Sequence, residues 1–385
     1  MKILHVNMSL DPVTGGGTAE RTFQLSRVLA ERGIENTVLT TDLGLTPERR
    51  EAMERAGVAV RALPCLQERF YLPRFSRREI MDIVGRADVV HLMGHWTLIN
   101  ALVYLAVRRL GKPYAVCPAG ALPIYGRSVL MKKLYNLAVG RRMIRNARGH
   151  IAITSDEAAQ FREYGIDPQQ VAVIPNGIGE DGFRCYDETA FRQRYGLASH
   201  PFILFMGRLN VIKGPDLLLQ AFCALGGKRG EYRLVFAGPD EGMGSALRKI
   251  AAANQLDEQV VFTGYLGGAD KASAYRASSF LAVPSRQEAM SIVALEAGIT
   301  GKPVLLTDQC GFRDIARCGG GIEVPATVEG LCGGMAAMMR NPDDLGNRGK
   351  KLQRYVSEYF TWDVISDKYI TLFTQLGCMP GNSAV

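Results

Sequence analysis

Short apolar runs alternate with stretches of helical spacing along nearly the whole chain, and the series starts over once. "KILHVNM" (2–8) reads as an apolar strand, "DPVTGGGTAE" as a glycine-rich loop, and "RTFQLSRVLAERG" as a helix stopped at Gly33. "NTVLTT", "DVVHLMG" (88–94), "PYAVCP" (113–118), "HIAIT" (150–154) and "VAVIPNG" (171–177) continue the series. After the polar stretch "GEDGFRCYDETAFRQRYGLASH" it begins again with "FILFMG" (202–207), "YRLVFAG" (232–238), "VVFTG" (260–264), "SFLAVPS" (279–285) and "PVLLT" (303–307). Short β-rich runs joined by helices demand parallel sheets covered on both faces.

The expected fold class is therefore α/β, with two doubly wound, Rossmann-like domains. A chain of 385 residues is also too long for one ordinary core. The pattern predicts a first domain over 1–182, a linker over 183–198, a second domain over 199–360 and a closing amphipathic helix within 361–385. Ligands of such sheets bind at the carboxyl ends of the strands, so facing sheets would place their site in a cleft.

Charge is unevenly spread. Residues 1–180 hold 24 Lys and Arg against 17 Asp and Glu, and no acid falls between Asp88 and Asp156. That window contains Arg108, Arg109, Lys112, Arg127, Lys132, Lys133, Arg141, Arg142, Arg145 and Arg148. Such a window is either a solvated helix face or a surface for phosphates or an anionic membrane. Nucleic acid fits poorly, because stacking aromatics are confined to Tyr125 and Tyr135. The opening "MKILHVNMSL" reads as a strand rather than a leader, and no apolar run approaches the roughly 20 residues of a membrane span, so a cytoplasmic protein is expected. The eight cysteines show no CxxC spacing, which points to reduced thiols rather than a metal site.

The strand ends of the second half carry the chemistry. "FMGRLNVIKGPDLLLQAF" presents Arg208 and Lys213 on a strand-to-helix loop, where two cations and a helix N-terminus can grip a diphosphate. It lacks the GxxxxGK[ST] pattern of a Walker loop. In "PSRQEAMSIVALEAGITGKPV", Glu288 precedes a helix expected to start near Met290, and Glu296 lies in its second turn. Two such acids can reach one elongated ligand, and the amides of 289–291 point at an anion between them.

These motifs together resemble glycosyltransferase family 4, retaining nucleotide-sugar enzymes of GT-B fold. "PSRQEAMSIVALEAGITGKPV" is similar to its Glu-x7-Glu element, "GRLNVIKG" to its diphosphate grip, "VIPNGI" to the strand end before its linker, and "GGGTAE" to its N-terminal glycine loop. The resemblance implies that Arg208 and Lys213 neutralise the donor diphosphate, that Glu296 holds the nucleotide ribose, and that Glu288 meets the transferred sugar. Ala289, Met290 and Ser291 would line the donor beside Glu288, Gly16 and Gly17 would let backbone approach it, and no metal or other cofactor would be needed. The closing helix around Trp362 would cross back onto the first domain.

Two departures stand out. Where the family usually has Glu-Gly-Phe-Gly, this chain reads Glu288-Ala289-Met290-Ser291. In "VHLMGHWTL" Met93 replaces the second member of a His-x-His pair, leaving His95 as the residue expected near the reacting sugar and His91 as a structural one behind it. "CPAGALPIYGRS" resembles polysaccharide-building members, with Ala119 in place of their His. Tyr125, Arg127, Arg141, Arg142 and Arg145 would then face a lipid-linked or saccharide acceptor, or an anionic membrane. The expected reaction is sugar transfer from a UDP- or GDP-sugar in polysaccharide or cell-envelope glycan synthesis. An epimerase or phosphorylase of the same fold, or a degenerate nucleotide-sugar binder, are the alternatives; a dinucleotide oxidoreductase is disfavoured because no GxGxxG follows the first strand.

Overall fold

The computed structural model describes residues 1–11, 15–124 and 128–378. The chain divides into two compact units, one of residues 1–176 with 362–385 and one of residues 177–361.

In unit 1, seven parallel strands follow the order β3-β2-β1-β6-β7-β8-β9, formed by β1 (Lys2–Val6), β2 (Glu35–Thr41), β3 (Ala59–Leu63), β6 (Val89–Met93), β7 (Tyr114–Cys117), β8 (Gly149–Ala152) and β9 (Val171–Val173). A small antiparallel hairpin, β4 (Cys65–Gln67) and β5 (Leu72–Pro73), lies outside that sheet. The central strands are apolar throughout, as burial on both faces requires: Ile3, Leu4, Val6, Val89, Val90 and Leu92 are all at most 1% exposed. The strand order reverses between β1 and β6, and the loops after these two strands carry the glycines and His95.

Trp362–Cys378 forms one helix that packs within unit 1 against the helix Gly16–Glu31 and against β6. Arg21, fully buried on the helix Gly16–Glu31, ties the two helices together. Its guanidinium donates to Tyr369 Oη at 2.9 Å, Asn176 Oδ1 at 2.7 Å and the carbonyl of Ile174 at 2.6 Å. A buried cation is tolerated only when its donors are satisfied in this way. Arg32 adds an ion pair to Asp363 and Asp367 at the helix end.

In unit 2, six parallel strands follow the order β12-β11-β10-β13-β14-β15, formed by β10 (Phe202–Met206), β11 (Arg233–Ala237), β12 (Val260–Gly264), β13 (Phe280–Val283), β14 (Val304–Thr307) and β15 (Gly321–Val324). Here the order reverses between β10 and β13. The stretch 183–198, expected as a linker, is instead folded into this unit. Asp187 caps the helix Glu188–Arg194, Phe191 is buried against Phe202, and Phe183 meets the Tyr275 ring. Two buried phenylalanines outweigh the polar look of the segment, so the boundary falls between Asn176 and Gly177 rather than after 182.

All eight cysteines are free thiols; Cys117 and Cys310 are buried. No described helix is long and apolar enough to cross a membrane.

Candidate functional site

Unit 2 gathers its polar residues at the reversal between β10 and β13, the position where open α/β sheets bind ligands. The loop after β10 turns through Val211–Lys213 and Gly214, whose φ is +68°. A Cβ on Gly214 would lie 2.1 Å from the carbonyl oxygen of Pro284, so only glycine lets this loop touch the one after β13. Arg286 fastens the two loops. It donates to the carbonyl of Val211 at 2.7 Å and forms a fork with both Asp216 oxygens at 2.8 and 2.6 Å.

Glu288 sits where these loops meet. Lys213 Nζ donates to its Oε1 at 2.8 Å and Ser285 Oγ to its Oε2 at 3.0 Å, while its own amide is held by the carbonyl of Gln309. Gly311, with φ +60°, packs so closely that its Cβ would lie 2.0 Å from the carbonyl oxygen of Ala289. Burial, with the Glu288 charge second, pushes the Cys310 thiol up to about 12, so it stays protonated.

Glu296 is separate from Glu288 in its partners. The helix begins at Ile292, two residues later than the sequence suggests, with Ser291 as its N-cap. Glu296 therefore lies in the second helical turn and Glu288 outside the helix altogether. Lys271 Nζ donates to Glu296 Oε1 and Tyr275 Oη to Oε2, both at 2.7 Å. Burial, with Glu296 beside it, raises the Tyr275 hydroxyl well above its ordinary value, so it remains a donor. Met290 and Ser291, expected to line the donor, are buried at 5% and 0% exposure; Ala289 is partly exposed. The Ser291 hydroxyl is buried at the helix start without a hydrogen-bond partner among the described residues.

Arg208 does not share the acid that holds Lys213. It pairs with Glu241 at 3.0 Å, and Asn210 bonds the other Glu241 oxygen at 2.7 Å while its own side chain caps the turn at the Lys213 amide. Sequence reasoning missed Glu241, Lys271, Tyr275 and Arg286. Lys271 and Tyr275 stand on the helix Gly268–Ala277, four residues apart, a spacing that puts both on one side.

In unit 1 the helix Gly16–Glu31 starts without a side-chain cap from the described residues, Gly16 has φ +60° with none of their atoms within 4 Å of where a Cβ would go, and Gly17 is exposed. Gly15 is needed for packing, since its Cβ would lie 2.5 Å from the Asp11 carbonyl oxygen. His91 is fully buried, its Nδ1 3.1 Å from His5 Nδ1 and its ring against Tyr369 and Phe373.

His95 is also buried, at 1% exposure, beneath Trp96, Tyr135 and Tyr164 rather than open to solvent. Burial lowers its imidazole to about 4, against the raising effect of Asn136, so it is neutral near pH 7. Its tautomer follows from a chain of bonds. The Leu122 carbonyl can only accept, so Tyr164 Oη donates to it at 3.1 Å. Tyr164 Oη then accepts from Asn136 Nδ2 at 3.0 Å, which turns Asn136 Oδ1 toward His95 Nε2 at 2.9 Å. Nε2 therefore carries the proton, and Nδ1 is a buried acceptor with no partner among the described residues.

Asn136 opens a π-turn, Asn136–Gly140, between the helical segments Val129–Tyr135 and Arg141–Arg145. A Cβ on Gly140 would lie 2.4 Å from Asn136 Oδ1, so glycine makes room for this contact. Arg141, Arg142 and Arg145 are exposed on the same helix; Arg145 Nε donates to the Tyr164 carbonyl and Arg141 lies over the Tyr164 ring. Tyr125 and Arg127 lie outside the described residues.

Comparison with known proteins fits this geometry. Residues 16–177 match the family described as glycosyl transferase 4-like domain, and residues 187–358 match glycosyl transferases group 1. D-inositol 3-phosphate glycosyltransferase from Geodermatophilus obscurus is 30% identical over 340 residues, covering 79% of this chain and 73% of that protein. The chain belongs to the family 4, group 1 glycosyltransferases. Its fold is GT-B. HepE from Anabaena, in a structure with UDP, matches with a TM-score of 0.81 at 19% identity, over 97% of this chain and 100% of that one. Sucrose-phosphate synthase from Thermosynechococcus elongatus matches with a TM-score of 0.77 at 19% identity, over 98% and 99%. In this glycosyltransferase the group 1 match spans the whole Arg208, Lys213, Glu288 and Glu296 site, and the 4-like match spans the glycine helix and His95.

Proposed function

We propose that this glycosyltransferase moves a sugar from a nucleoside diphosphate donor to a saccharide acceptor with retention of anomeric configuration. The observation that carries the reading is the contact of Lys213 with Glu288 at the β10–β13 reversal, a cation and a carboxylate within 2.8 Å on two different loops. In the proposal the donor diphosphate takes over Lys213 and Arg208 from their carboxylates. Glu288, released, accepts from hydroxyls of the sugar, and Glu296, steered by Lys271 and Tyr275, accepts from the ribose. Neutralising the diphosphate lets the bond between the anomeric carbon and the phosphate oxygen break, and its electron pair leaves with the phosphate. The acceptor hydroxyl attacks from the same face, and its proton passes to the departing phosphate oxygen. His95, neutral, buried and with its one proton directed to Asn136, positions the loop after β6 rather than acting as a base.

Two cations and the helix start at Ile292 supply the charge stabilisation, so the proposed reaction needs no metal or other cofactor. UDP is the favoured nucleotide, because the HepE structures were determined with UDP and UDP-glucose. The relatives are named for D-inositol 3-phosphate. A phosphorylated acceptor suits the uncapped helix start at Gly16, whereas the basic window of unit 1 favours a lipid-linked saccharide in cell-envelope glycan synthesis, made on the cytoplasmic side of a membrane.

The test is product analysis with UDP-glucose and GDP-mannose, offered with D-inositol 3-phosphate, a polyprenyl diphosphate-linked sugar or neither, with and without EDTA. A glycosylated product with the donor's anomeric configuration, formed equally in EDTA, is expected. An inverted product, a 2-epimerised donor, or turnover only with added metal overturns the reading.

A further inference from the structure

The helical run 129–145 lies inside the acid-free window, and its two sides differ sharply. Inward, Tyr135 Oη donates to the Thr97 carbonyl at 3.0 Å, Asn136 holds His95, and Met143 and Ile144 enter the core. Outward, Leu130, Met131, Leu134 and Leu137 are 70%, 52%, 57% and 77% exposed. Leu130, Leu134 and Leu137 follow at steps of four and three residues, so they share one side. Lys133, Arg141, Arg142 and Arg145 are exposed on the same run, and none is ion-paired among the described residues. A folded helix ordinarily turns its leucines inward. One that shows them to solvent, flanked by unneutralised cations, has the make-up of an interfacial helix.

We propose that the run 129–145 lies in the surface of an anionic lipid bilayer, with Leu130, Leu134 and Leu137 at the acyl boundary and Lys133, Arg141, Arg142 and Arg145 among the headgroup phosphates. A second copy of the chain is the rival occupant. Charge argues against it, since two acid-free basic faces repel while an anionic leaflet attracts every cation. Lys132 over the Trp96 ring, 5.7 Å from its centroid, and Asn136 on His95 join the inward side of the docked helix to the aromatic cluster around His95. An acceptor carried by the bilayer would then be presented on that side. This last step rests on the lipid-linked acceptor reading above; the docking itself does not.

The experiment is co-sedimentation of the full chain with vesicles of phosphatidylcholine alone or with about a third phosphatidylglycerol, at low and high salt. The wild type is expected to pellet with anionic vesicles only, and less at high salt. The double variant Leu134→Ser, Leu137→Ser keeps every cation and should partition at least about tenfold more weakly. Leu105→Ser, at another residue 60% exposed, should behave as wild type. UDP-induced thermal shifts on the same preparations report whether the leucine variants are folded and whether the donor reading stands, independently of lipid. Wild type that ignores anionic vesicles overturns the proposal, as does a leucine variant that partitions like wild type. A lipid-independent dimer dissolved by Leu137→Ser, with no vesicle binding, assigns the face to a second copy and also overturns it. Normal vesicle binding without glycosylation of any lipid-linked acceptor upholds docking and removes only the acceptor reading.

Discussion

Asn136 has one orientation that satisfies its neighbours, and that orientation decides which nitrogen of His95 is protonated. Asn136→Ala should free the tautomer while leaving the ring packed among Trp96, Tyr135 and Tyr164. Nitrogen chemical shifts of His95 should report the Nε2-protonated form in the wild type and a mixture in the variant. A single Nδ1-protonated form in the wild type would refute the assignment. None of this was legible in the sequence. His95 stood out there as a lone histidine at a strand end, but Asn136 is a polar residue 41 positions away in a run that reads as ordinary helix. Arg208, Lys213 and Glu288 could be singled out because each sits on a loop after a strand, and Glu296 because it follows Glu288 by eight residues, inside the next helix. Their partners Glu241, Lys271 and Tyr275 were hidden, since a surface acid, a lysine and a tyrosine on a plain helix carry no local signal.

Gly214 shows how an element depends on one backbone angle. With φ at +68° and Pro284 O 2.1 Å from where a Cβ would go, Gly214→Ala must part the loops after β10 and β13. Nucleotide affinity, measured by calorimetry on a preparation whose circular dichroism matches the wild type, should fall at least about tenfold. Unchanged affinity would mean that the two loops do not form one site. Most of the sheets could be read directly: the inner strands are apolar on both faces and leave no alternative. The strands that escaped are at the edges. Ala59–Leu63 carries Arg61 and alternates buried with exposed residues, and Gly321–Val324 follows two glycines and contains Glu323. Edge strands need only one apolar side, so their pattern fades toward that of a loop. The π-turn at Asn136 was equally invisible, because it changes the backbone count without changing the composition.

At the scale of the whole molecule, burial of four histidines gives unit 1 a pH dependence. Burial lowers His5 to about 3 and His95 to about 4, and lowers His91 and His150 as well, with His5 and Arg21 adding to the effect on His91. Each depressed value means that the unfolded chain binds protons the folded chain refuses. Stability is therefore complete above the ordinary histidine value of about 6.5 and is lost as pH falls from there toward 4; His95 alone accounts for about 3 kcal/mol. Glu157, raised by burial, acts in the opposite sense and softens the loss. Urea unfolding at pH 7.5 and 5.0 should show a lower midpoint at pH 5.0, and a higher one there would contradict the burial of these rings.

The division into two units was readable from the restart of the strand series, although the boundary was misplaced because the helix Glu188–Arg194 hides a buried phenylalanine among charges. The central claim is that the β10–β13 reversal in unit 2 binds a nucleoside diphosphate through Lys213 and Glu296. Thermal unfolding with UDP, GDP or ADP, on the wild type, Lys213→Ala and Glu296→Ala, tests it most directly. A ligand at 100 times its dissociation constant adds about 2.7 kcal/mol, enough to raise the midpoint by several degrees. A rise with one of the three, UDP first, that disappears in both variants is the expected result; no rise with any, or a rise that both variants keep in full, would contradict it.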